Sequence, residues 1–180
     1  MHRRPLISLL VGYAEAWPAE RNLAARFLTF VGTHPDCLLR TCAPGHITAS
    51  AWIEAADRSA CLLTHHRKLG RWLQLGGHCD GDANLARVAL REAVEESGIG
   101  DLAIDPLPVD LDVHVIPARG SEPEHLHLDT RFLIHAPTDA RATASEESLE
   151  LRWFAPEGLA TIETDDSVRR LCRIAFKAAR

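Results

Sequence analysis

The chain has 180 residues, 46% hydrophobic and 25% charged, with a formal net charge of −5. These values exclude a disordered chain, and the acidic balance excludes a general nucleic-acid binder, which needs a basic excess. No apolar run reaches the ~18 residues of a membrane helix. At the N-terminus, Leu6, Leu9, Leu10, Tyr13 and Trp17 follow the stripe of an amphipathic helix, predicted over residues 6–16. The same stretch has the outline of a secretory leader, but Pro5 opens the apolar run and Gly12 and Tyr13 break it. A second helix is predicted over 20–31, after a break at Pro18. Residues 33–45 hold Pro35 and Pro44 and read as a linker. The chain therefore divides into an N-terminal helical extension with its linker, 1–44, and a main domain, 45–180.

Beyond Gly45 the texture changes. Residues 46–54 and 60–66 read as strands joined by a turn at Asp57–Ser59, followed by a short apolar run from Trp72 to Leu75. Residues 83–97 have helical texture, with Asp82 as N-cap and Gly98 as C-terminal stop. Two alternating segments, 109–116 and 125–134, flank a hairpin loop, PARGSEPE; 149–154 form a last strand and 165–179 a closing helix. Strands on both sides of a central helix indicate a mixed α/β sandwich. The five cysteines are odd in number and no pair has CxxC spacing. That pattern points to reduced thiols and a cytoplasmic protein.

The segment from Gly77 to Ile99 is the most informative. Five acidic residues, Asp80, Asp82, Glu92, Glu95 and Glu96, stand there against Arg87 and Arg91, so much of the net negative charge is local. On a helix, Glu92, Glu95 and Glu96 share one face within one turn. Their repulsion costs only a few tenths of a kcal/mol per exposed pair, so crowding alone is also compatible with a solvated acidic face. The flanks add weight: a Gly-Gly turn precedes the helix, Arg91 stands before the first glutamate, and Gly98-Ile99 follows. Carboxylates converging beside a tight glycine turn make a hard-oxygen cage of the kind magnesium takes.

Gly77, Arg91, Glu92, Glu95, Glu96, Gly98 and Ile99 fall in the register of the 23-residue box of the Nudix hydrolases, and the chain resembles that family from about Gly45 to its end. The resemblance implies an α/β/α sandwich with a mixed sheet and the box as loop–helix–loop. It also implies metal-assisted attack of water on a pyrophosphate bond in a nucleoside diphosphate-linked or related phosphorylated small molecule. Glu92, Glu95 and Glu96 would ligate Mg2+ or Mn2+, Gly77 would add its carbonyl, and Arg91 would orient the glutamates. Glu95, Glu96 and Arg91 would form the catalytic group. One position departs from the pattern: Ala83 stands where the box has its first glutamate. Asp80 and Asp82 lie nearby as substitutes, or as a turn residue and an N-cap.

Other residues carry two readings each. Glu146 and Glu147 precede the last strand, as an additional base or metal ligand or as a solvated loop. His125, His127 and Asp129 alternate on one strand, and Asp110, Asp112 and His114 on its predicted partner. They form a second metal site, a substrate wall or simply the polar face of a sheet. His78 in the box loop, Arg67 in the basic cluster around residues 65–71, and His127 are the candidate substrate contacts. His46 reads as structural, Cys79 as a small filler, and Trp52, Trp72 and Trp153 as core. The expected partners are a nucleotide or diphosphate substrate and, as an open alternative, a second copy of the chain. Against the hydrolase stands a second function, a Nudix-fold module that senses a nucleotide with little or no catalysis. The departure at Ala83 and the N-terminal extension favour that reading, while the intact Arg-Glu and Glu-Glu pairs favour the enzyme.

Overall fold

The computed structural model describes residues 2–146 and 148–178. Two helices, α1 (Arg4–Ala16) and α2 (Arg21–Thr33), come first. Then follow β1 (Gly45–Glu54), β2 (Cys61–His66), β3 (Trp72–Leu73), β4 (Leu75–His78), α3 (Leu85–Ser97), β5 (Ala103–Ile104), β6 (Asp110–Ile116), β7 (His125–His135), β8 (Ser148–Phe154) and α4 (Asp166–Ala178). All eight strands belong to one mixed sheet. Its spine is β1, which runs parallel to β7 over its whole length and antiparallel to β2 and β4 on its other edge.

The apolar run at Trp72–Leu75 is two strands rather than one. β3 pairs with β2 and β4 with β1, and the chain changes neighbours at Gln74. β5 has only two residues, too few for a periodicity to show. Helix α3 starts later than expected, and its N-cap is Asn84, whose side chain accepts from the Arg87 N–H. Asp82 is not the cap; it accepts from the Asn84 N–H and pairs with Arg87. At the other end Gly98 closes the helix in the left-handed conformation, φ 66°, which a glycine adopts without strain.

The two faces of β1 explain the layers. Ile47, Ala49, Ala51 and Ile53 point one way and pack under Val88, Ala89 and Ala93 of α3. Leu6, Leu10 and Tyr13 of α1 and Ala24, Phe27 and Val31 of α2 are buried in the same cluster as Ile47 and Val88. The extension thus shares a core with the sheet. Each fully buried Leu or Phe contributes about 1.5–3 kcal/mol relative to exposure, so this packing holds the helices in place. On the opposite face Trp52 and Leu133 pack against Val168, Leu171 and Ala175 of α4. Nearer the start of β1 the same face turns polar, with Thr48 and Ser50 lining an open cleft. The five cysteines are all buried and unpaired.

Candidate functional site

The acidic turn of α3 lies against the Gly76–Gly77 turn of β4. A Cβ added at Gly77 would stand 2.5 Å from Oε2 of Glu92, so only glycine lets that carboxylate close on the backbone. Glu96 accepts the N–H of Gly76 at 3.1 Å. Arg91 donates to Glu92 at 2.5 Å and to the carbonyl of His78 at 3.1 Å, and lies 3.9 Å from Glu95. It therefore links the helix to the glycine strand as well as to its neighbouring glutamates. Glu95 is the most open of these, with 62% of its side chain exposed.

Ala83 packs against the core under α3. Neither nearby aspartate turns to Arg91: Asp80 is held by Arg40 at 2.9 and 3.0 Å, and Asp82 by Arg87. Hydrogen bonds from those arginines hold both carboxyls below their usual range.

Across the cleft, β6 and β7 bring their alternating polar residues together, Asp112 opposite Asp129 and His114 opposite His127. Asp129 accepts from Thr48, Ser50 and Arg131 at 2.8–2.9 Å. Arg131, 1% exposed, also contacts Asp110 at 3.1 Å and Asp112 at 3.2 Å, and Arg170 of α4 reaches the same two carboxylates at 2.8 and 3.0 Å. Burial pushes Asp110 up. Burial also raises Asp112, but the His114 hydrogen bond and Arg131 outweigh it and leave that carboxyl low. These carboxylates are spent on arginines, so the aspartates of this wall are an ion-pair network rather than cation ligands.

Five imidazoles gather at the end of the wall. His46 of β1 stands beside His127 in register, with ring centroids 4.6 Å apart; His78 lies 4.9 Å and His125 5.0 Å from His46. Burial, then His78 and His125, push His46 down to about 4. Burial also lowers His78 and His127. His114 goes the other way: burial lowers it, but its bond to Asp112 prevails.

The cleft between these walls has a volume of about 350 Å³ and includes Gly76, Gly77, His78, Glu92, His127 and Asp129. His66, Lys68 and Arg40 stand on its rim. Of the substrate contacts expected from sequence, His78 and His127 face the cleft. Arg67 instead donates to the carbonyls of Glu146 and Ser148, tying the β2–β3 turn to the loop before β8. Glu146 is exposed there, and Glu147 lies outside the described residues. Burial pushes the Cys79 thiol far up, which leaves it inert. Sequence reading missed Arg40, Gln74, Thr48 and Ser50, which reach the cleft through pairings between distant segments. It also left His46 apart from the other histidines; only the β1–β7 register unites them.

The donor set at the box suits a hard divalent cation. Three glutamates project from one helical turn, one is pressed onto glycine backbone, and each offers oxygen. Beside them the cleft is large enough for part of a small phosphorylated ligand.

Comparison with known proteins adds to this geometry. The NUDIX domain family profile matches residues 44–172. No curated protein matches the sequence. Among solved structures, a NUDIX-family hydrolase from Clostridium perfringens is similar with a TM-score of 0.61 at 19% identity, covering 75% of this chain and 98% of that one. An Ap4A hydrolase from C. elegans gives 0.60 at 20% identity, over 74% and 98% of the two chains. The dihydroneopterin triphosphate pyrophosphohydrolase of E. coli gives 0.60 at 18%, over 70% and 91%. At these identities the likeness is one of fold.

Proposed function

The chain belongs to the NUDIX domain family of pyrophosphohydrolases, and from that premise we propose that it is a divalent-metal-dependent hydrolase. Its substrate would be a nucleoside diphosphate-linked or related polyphosphate-bearing small molecule, cleaved by water attack at phosphorus. Two structural relatives are hydrolases of Ap4A and of dihydroneopterin triphosphate, which suggests the class. The observation that carries the reading is the closure of Glu92 and Glu96 on the Gly76–Gly77 turn, at the floor of a cleft rimmed by Arg40 and Lys68.

Glu92, Glu95, Glu96 and the Gly77 carbonyl would hold Mg2+ or Mn2+. Such an ion neutralises phosphate charge and lowers the pKa of its water. Arg91 fixes Glu92 and, through His78 O, the glycine strand. The Gly76 N–H fixes Glu96. Glu95 or Glu96 takes the proton of the attacking water. Arg40 and Lys68 attract the anionic substrate, and His78 and His127 contact it from the wall. Residues 1–44 serve as an extension that buttresses the Nudix domain and lends Arg40 to the cleft. Unpaired buried thiols suit the reducing cytoplasm.

A panel of nucleoside diphosphate derivatives with Mg2+ tests this. Wild type should release a monophosphate from at least one member, and Glu96→Gln should turn over about 100-fold slower or worse. Equal turnover by the two proteins would defeat the assignment, and tight metal-independent binding without turnover would favour a sensor.

A further inference from the structure

Of the histidines at the end of the wall, His78 and His127 line the cleft, whereas His46 and His125 have no part in the proposed hydrolysis. His46 is 1% exposed, and neither of its ring nitrogens has a hydrogen-bond partner. Leaving a buried polar group without a partner is costly, which calls for a ligand. One nitrogen from each of His46, His125 and His127 lies within 4.8 Å of the other two. A tetrahedral ion with nitrogen ligands at about 2.0–2.1 Å sets its donors roughly 3.3 Å apart, so small ring rotations close the gap.

The tautomers fit as well. His125 Nδ1 lies 2.9 Å from the carbonyl of Pro123. Donating there, it carries its lone pair on Nε2, the outer-shell arrangement common for metal-bound imidazoles. His78 stands 4.9 Å from His46 and 5.3 Å from His127, ring to ring, within reach of a fourth position.

We propose that His46, His125 and His127 bind a divalent transition-metal ion of the zinc type, with His78 or solvent completing its shell. Imidazole donors select such ions over magnesium, which prefers oxygen. The site is thus chemically distinct from the glutamate turn. It clamps β1 to β7 beside the box loop.

Calorimetric titration of metal-free protein with Zn2+ should show a single tight site. Co2+ in its place should give the strong visible bands of a low-coordinate nitrogen-bound ion. His127→Asn and His46→Gln, checked for native circular dichroism, should each weaken Zn2+ by more than the roughly 10–100-fold that an outer-shell loss costs. Glu95→Gln should leave the cobalt spectrum unchanged while impairing Mg2+-dependent turnover, so the two sites fail separately. Three results would overturn the proposal: no visible cobalt spectrum from folded wild type, a spectrum unaffected by His127→Asn, or one abolished by Glu95→Gln.

Discussion

Two groups of three carboxylates flank one cleft, with Glu92 and Asp129 in its lining, and they are treated in opposite ways. Asp110, Asp112 and Asp129 are buried and share Arg131 and Arg170 at 2.8–3.2 Å. On α3, Arg91 bonds Glu92 but stands 3.9 Å from Glu95, which faces water. A crowd of acids does not by itself make a cation site; what decides is whether the protein already supplies the cations. In the sheet it does, and the aspartates stiffen the wall. On the helix Glu95 keeps 62% of its side chain in water, 3.9 Å from Arg91, so its carboxylate is not spent in a buried ion pair.

The most damaging substitution for this contrast is Arg131→Met. Removing the shared cation leaves three buried carboxylates short of charge, and breaking a buried pair of this kind costs about 3–5 kcal/mol. Urea denaturation should show that loss; a loss under about 1 kcal/mol would mean that the aspartates need no compensation.

An intermediate effect comes from the histidines of the same wall. The unfolded His46 titrates near its ordinary value of 6.5 and the folded one near 4. Between those values the unfolded chain binds more protons, so stability falls as pH falls. From pH 7 to pH 5, His46 alone should remove about 2 kcal/mol in chelator-treated protein. His78 and His127, also lowered, add in the same sense, whereas the raised His114 opposes them. His46→Gln should flatten the pH slope measured by denaturation; an unchanged slope would show that its burial does not govern the acid response.

The smallest effect belongs to Arg40→Ala. Arg40 and Asp80 pair with more than half of each side chain exposed, so the stability cost should stay within about 0.2–1 kcal/mol. If the rim role holds, substrate KM should rise more than kcat falls; unchanged KM would remove Arg40 from recognition.

Much of this architecture was legible in the chain. Local periodicity located α1, α2, α3, α4 and the long strands, and the box residues carried the acidic turn. What stayed hidden depends on pairing between distant segments. His46 is alone in sequence, and only its register beside His127 makes it the middle of an imidazole group. Arg40 lies in a linker, and its reach to Asp80 follows from docking of the extension. Arg131 reads as an ordinary polar position on an alternating strand, yet its burial turns two rows of acids from candidate ligands into an ion-pair network. The Asp82 reading failed for a smaller reason: two capping residues compete within three positions, and Asn84 holds the one that accepts from Arg87 N–H.

The contrast between the two acidic groups can be measured directly by Mn2+ binding, followed through paramagnetic relaxation of water. Manganese ranks low for nitrogen sites and so reports on oxygen ligands. Wild type should bind it, Glu92→Gln and Glu95→Gln should each weaken it about tenfold or more, and Asp112→Asn should leave it unchanged. Retained binding in both glutamate variants, or an equal loss in Asp112→Asn, would contradict the assignment of the cation to the helix.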